Sequence, residues 1–157
     1  MQLLLMRHGP AEERGPGVED TTRALTREGE RRTAEAIAGL KKVLPTVHRV
    51  ISSPLLRARQ TASLLGEAFG LEVDTEELLA PGGKASMLLT WGPSEKTVAM
   101  VGHEPDLSQL AGFLLSGEPK SVLELKKAGC VLLSVEAVDR ARLIWSLTPK
   151  VLRRLGR

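Results

Sequence analysis

The chain has 157 residues, 42% of them hydrophobic and 26% charged, a balance that excludes a disordered protein and suits one domain over residues 1–157. Its net charge of +3 comes from scattered Lys and Arg with no aromatic residues interleaved, which argues against nucleic-acid binding. Cys130 is the only cysteine, so no intrachain disulfide forms, and its apolar neighbourhood reads as a buried, inert thiol.

Taken in chain order, Gln2–Met6 is an apolar run cut short by Arg7 and His8, too brief for a signal peptide or membrane span. It reads as a buried strand that ends in a loop, in a protein expected to be cytoplasmic. Residues 9–24, rich in Gly, Pro and acids, read as irregular. Thr26 is the expected cap of a helix to about Lys42, with Ala34, Ile37, Ala38 and Leu40 along its apolar side and Pro45 preventing continuation. Arg49–Ser52 reads as a second strand. Ser53 is the expected N-cap and Pro54 the first helical residue of a helix to Phe69, closed by Gly70.

Residues 71–95 predict only one short helix, around Met87, Leu88 and Leu89, bracketed by Gly82, Gly83, Gly92 and Pro93. Thr97–Val101 is β-branched and reads as a strand leading into Gly102 and His103. A helix is expected over Asp106–Leu115, then a hairpin of Cys130–Val135 and Arg142–Leu147 turning near Asp139. The tail Val151–Gly156 is expected to pack on the core or on another subunit. Strands alternating with helices predict a three-layer α/β/α sandwich with a largely parallel sheet.

Placement carries the functional argument. Arg7, His8 and His103 each follow a strand, and Arg57 lies at the start of a helix after another strand. In such sheets, sites form beyond the carboxyl ends of the strands. Two imidazoles and two guanidinium groups in one pocket suit phosphoryl transfer, whose catalysis is mainly positioning and charge neutralisation. Arg meets two oxygens of a phosphoryl group at once, and a neutral imidazole is a competent nucleophile toward phosphorus. The second imidazole is expected to be protonated and to hold an oxygen. His48 precedes a strand and belongs to the opposite sheet end. No metal is expected, since His8, His103, Asp20 and Glu104 show no ligand-pair spacing and the flanking Arg would repel a cation.

Leu5-Met6-Arg7-His8-Gly9 resembles the Arg-His-Gly signature of the histidine phosphatase superfamily. Asp20, Arg23, Leu25, Thr26 and Gly29 resemble the stretch after it, Ser52–Ala62 resembles the second motif, and Val101-Gly102-His103-Glu104-Pro105 the third. The compact length resembles the SixA-like phosphohistidine phosphatases, with Lys127-Ala128-Gly129 similar to their Lys-Gly segment. This resemblance implies the phosphoglycerate mutase-like fold, transient phosphorylation of His8, phosphoryl binding by Arg7, Arg57 and His103, and no cofactor.

Two departures stand out. Glu104 occupies a position that commonly holds Asn, so its carboxylate is expected to point away from phosphate. Larger relatives supply an acid after the second-motif helix; the candidates here, Glu76 and Glu77, lie in no recognisable motif. A P–N bond asks for less acid assistance than an alkyl ester, which favours phosphohistidine in a protein as substrate. Small-molecule phosphomonoester hydrolysis and a silent phosphate-binding module are the rivals. Asp20 has two readings, a loop cap before Thr26, which is preferred, or a group that orients Arg23 or a pocket Arg; Gln60 and Thr61 are expected to support Arg57 on its helix face.

Overall fold

The computed structural model describes residues 1–89 and 96–157. Strand β1 (Gln2–Arg7) is Leu-rich on both faces, and Leu3, Leu4, Leu5 and Met6 have no exposed surface. A continuous apolar run of this kind belongs to a strand covered by other layers on both sides. It lies in a six-stranded sheet with β2 (Arg49–Ser52), β3 (Val73–Thr75), β4 (Thr97–Gly102), β5 (Cys130–Ala137) and β6 (Arg140–Leu147). The order is β3-β2-β4-β1-β5-β6. The four strands from β3 to β1 are parallel; β5 runs antiparallel to β1 and closes a hairpin with β6. Asp139 takes the left-handed conformation at the hairpin turn, φ 59°.

Even-numbered β1 residues Leu4 and Met6 face helices α1 (Arg27–Val43), α2 (Leu56–Phe69) and α4 (Pro149–Leu155) through Ile37, Leu40, Ala58, Ala62, Leu65 and Leu152. Leu3 and Leu5 face α3 (Asp106–Ser116) through Leu107, Leu110 and Leu114, together with Leu79, Leu88 and Leu125. The period-two alternation of a strand thus divides one apolar run between two cores. The result is the expected three-layer sandwich. Each fully buried Leu contributes about 1.5–3 kcal/mol, so these two clusters supply most of the cohesion.

Thr26 caps α1 as expected, accepting from the Gly29 amide. The tail packs on the core: Thr148 caps α4, Leu152 is fully buried, and a Cβ added at Gly39 of α1 would overlap the Leu152 carbonyl. Cys130 is buried in the same cluster, and burial pushes its thiol up to about 12.

Two points differ from expectation, while the short helix expected around Met87 is present. Helix α2 begins at Leu56 rather than Pro54, because the Ser53 hydroxyl is engaged by the Leu55 amide and His103, and the Leu55 backbone is extended. Strand β3 was not expected: its three residues carry no run long enough to show alternation, and pairing with β2 creates it. Met87, Leu88 and Leu89 lie in a 3-10 helix, Ala85–Leu89; Gly92 and Pro93, the other end of the expected bracket, lie outside the described residues.

Candidate active site

β1 and β4 pair with Arg7 opposite Gly102, so their next residues, His8 and His103, emerge side by side at the carboxyl edge. Their ring centroids are 5.3 Å apart, and both residues are buried. Arg57, in the first turn of α2, meets them there: its Nε donates to His8 Nε2 at 3.3 Å. Arg7, His8, Arg57 and His103 all line one cavity of about 370 Å³, with Arg14, Arg23 and Lys127. His48 is elsewhere, accepting from the Thr97 amide at the opposite end of β4.

The His8 ring has its tautomer set by the main chain. Nδ1 lies 2.7 Å from the Gly9 carbonyl, which can only accept, so Nδ1 carries the proton and Nε2 is left with a bare lone pair. Gly9 is itself held, its amide donating to Thr61 Oγ while Thr61 donates to the Arg57 carbonyl. Thr61 therefore ties α2 to the β1 loop rather than touching the Arg57 fork. Gln60 likewise accepts from the Leu25 amide.

The Ser53 hydroxyl lies 2.7 Å from His103 Nε2 and accepts from the Leu55 amide. Among the described residues Nε2 is the sole acceptor within reach of the Ser53 proton, which favours the tautomer of a neutral His103 with its proton on Nδ1. That Nδ1 is buried with no hydrogen-bond partner among the described residues, as is Arg7 Nε. Arg7 Nη1 donates to the Leu125 carbonyl at 3.0 Å, which orients its fork.

Asp20 is the residue that sequence reasoning undervalued. Rather than serving as a loop cap, its carboxylate ion-pairs Arg23 at 2.9 Å and Arg57 at 3.3 Å, while its carbonyl accepts from Arg57 Nη1 at 2.8 Å. Burial pulls its pKa up, but the Arg23 hydrogen bond and the Arg57 charge outweigh that and hold it below the usual carboxylate range. Burial lowers the Arg57 pKa, a cost that Asp20 partly offsets. This is the less preferred of the two roles open to Asp20 in the sequence, the one that orients Arg23 and a pocket Arg.

Glu104 lines the cavity, and its carboxylate accepts from the Ser108 amide, the Ser108 hydroxyl and the Leu125 amide. Neither Glu76 nor Glu77 lines the cavity. The carboxylates that do, besides Glu104, are the exposed Glu12 and Glu13 of the loop after β1.

Both site imidazoles are neutral at ordinary pH. Burial pushes His8 down to about 3 and His103 down to about 4, and the neighbouring Arg57 and Arg7 charges add to the lowering. This departs from the expectation of a protonated His103: burial and the Arg57 and Arg7 charges favour the neutral ring. NMR titration of the two rings is expected to show no transition between about pH 5.5 and 8, with His103 as the Nδ1–H tautomer; a midpoint near 6.5 for either would contradict this burial argument. Both folded values lie below the unfolded 6.5, so the unfolded chain gains protons first. The stability that these rings contribute is therefore complete above pH 6.5 and lost as the pH falls toward about 4 to 3.

The sequence profile of the histidine phosphatase superfamily (branch 1) matches residues 3–81. An uncharacterised protein of Picosynechococcus is 38% identical over 138 residues, covering 83% of each chain. The phosphohistidine phosphatase SixA of Escherichia coli is 26% identical over 156 residues, covering 95% of this chain and 94% of its own. Among solved structures, SixA with tungstate superposes with a TM-score of 0.81 at 24% identity, over 97% of this chain and 99% of that one. A mycobacterial glucosyl-3-phosphoglycerate phosphatase shares the fold at TM-score 0.70 and 22% identity, over 94% of this chain and 99% of its own. Such relatives support phosphatase activity. The chain belongs to the histidine phosphatase superfamily.

Proposed function

We propose that this chain hydrolyses a phosphoryl group through a phosphohistidine intermediate on His8, with phosphohistidine in proteins as its substrate. One observation carries the reading: the Gly9 carbonyl holds the Nδ1 proton of a buried neutral His8, leaving Nε2 unprotonated beside Arg57.

In the first step, Nε2 attacks phosphorus, an N–P bond forms, and the substrate's own bond to phosphorus breaks in line. The leaving group keeps the bonding pair and takes up a proton. The phosphoryl oxygens replace the Nε2 lone pair as acceptors of Arg57, and Arg7 Nε and His103 Nδ1–H supply two further donors. Water then attacks phosphorus, releasing inorganic phosphate and returning the lone pair to Nε2. Asp20 acts through Arg57 and Ser53 through His103; both are positioning residues.

The substrate class follows from the leaving group. An alkoxide's conjugate acid has a pKa of about 16, so ester cleavage gains much from a placed acid, whereas imidazole takes a proton near pH 6.5 unaided. A general acid needs burial to keep its proton at neutral pH. The site's Glu12 and Glu13 are exposed, and Glu104 is committed to Ser108 and Leu125. A second reading, a small-molecule phosphomonoesterase, draws on the carboxylates of Glu12 and Glu13 at the cavity wall. Turnover of phosphohistidine peptides and of a panel of sugar phosphates decides between them. The expected kcat/KM for phosphohistidine is higher by tenfold or more (about 1.4 kcal/mol); the reverse order would establish the second reading.

A further inference from the structure

Beside the catalytic cavity lies a groove of about 390 Å³, lined by Arg7, Pro10, Arg32, Glu124, Lys126, Lys127, Ala128, Pro149 and Arg153. The two concavities share Arg7 and Lys127, so a cationic strip continues outward from the phosphoryl pocket. Five basic side chains from β1, α1, the 124–129 loop and α4 face one carboxylate, Glu124. Arg32 is paired with Glu28 at 2.9 Å. Lys126, Lys127 and Arg153, by contrast, carry no ion pair or side-chain hydrogen bond among the described residues.

The backbone that bears the lysines is held firmly. The Ala128 amide donates to the carbonyls of Arg7 and His8, the Arg7 amide to Gly129, and the Gly129 amide to Lys126 at 2.7 Å. Ala128 holds the left-handed conformation, φ 63°, a local cost that these bonds offset. The backbone that carries the lysine pair is therefore tied to that of Arg7 and His8. Gathering unpaired like charges around one concavity costs stability through repulsion, so the arrangement suits a ligand that brings the opposite charge.

Resting on the phosphohistidine reading above, we propose that this groove seats acidic residues flanking the phosphohistidine of the substrate protein. The exposed lysines and the spread of cations over separate elements suit a carboxylate-bearing segment. A compact second phosphate would call for a buried fork aimed at one point.

Two phosphohistidine peptides, identical except that one carries four Glu and the other four Gln on one side, test this, with the flank placed on each side in turn. For the wild type, the acidic peptide is expected to have about tenfold higher kcat/KM at low ionic strength, the advantage shrinking as salt screens it. In the double variant Lys126→Glu/Arg153→Glu that ratio is expected to fall to one or below, and in Lys126→Gln/Arg153→Gln to an intermediate value, each variant's fold being verified by circular dichroism. A ratio near one in the wild type for both flank positions, or a wild-type ratio in the folded variants, would overturn the groove while leaving the phosphohistidine reading intact. Failure to turn over either peptide, with brisk hydrolysis of a sugar phosphate, would overturn both.

Discussion

His8→Ala is expected to lower phosphate release by at least about 10³-fold, because no other side chain at the pocket offers an unprotonated nitrogen in line with phosphorus. His103 is the nearest candidate, and its Nε2 is engaged by the Ser53 hydroxyl at 2.7 Å. His8→Asn is the more informative variant. Its amide can still donate to the Gly9 carbonyl and fill much of the ring's space, so the loop after β1 keeps its shape and any loss reports on chemistry rather than folding. Rapid-quench experiments on the wild type are expected to trap phosphate bound to protein in an acid-labile, alkali-stable form. Both variants should lack it. Activity in folded His8→Asn within tenfold of the wild type would remove this residue from the reaction.

The second large effect is expected at Arg57. Arg57→Lys should cost about 10²–10³-fold in kcat, close to the loss in Arg57→Ala, although the charge is kept. The reason is geometric. The guanidinium spans three partners at once, with Nε on His8, Nη1 on the Asp20 carbonyl and Nη2 on the Asp20 carboxylate. A single ammonium cannot hold Asp20 and meet two phosphoryl oxygens together. Because these donors matter most when charge is spread over the transferring group, kcat should fall more than KM rises. A Lys variant within tenfold of the wild type would show that net charge suffices.

How much of this was readable from the chain alone varied with the range of the interactions involved. Thr26 as a cap, Gly70 as a left-handed terminator and the turn at Asp139 follow from local backbone preferences, and all three occur. β3 was missed because three residues have no intrinsic period and exist as a strand only by pairing with β2. Ser53 was read as a cap from its place before proline, a local rule that a hydrogen bond to a residue fifty positions away overrode. The charge state of His103 was misjudged for a related reason: protonation depends on burial and on surrounding guanidinium groups, neither of which is encoded near position 103.

What the amino-acid order determined by itself was the set of candidate reacting groups and the strand ends that carry them, because binary patterning and residue chemistry are properties of short segments. What the tertiary structure alone decided was which lone pair is free, where each proton sits, and which acid locks which guanidinium. Those depend on distances of a few ångströms between residues far apart in sequence, and such distances come into being only when β1, β2 and β4 lie side by side.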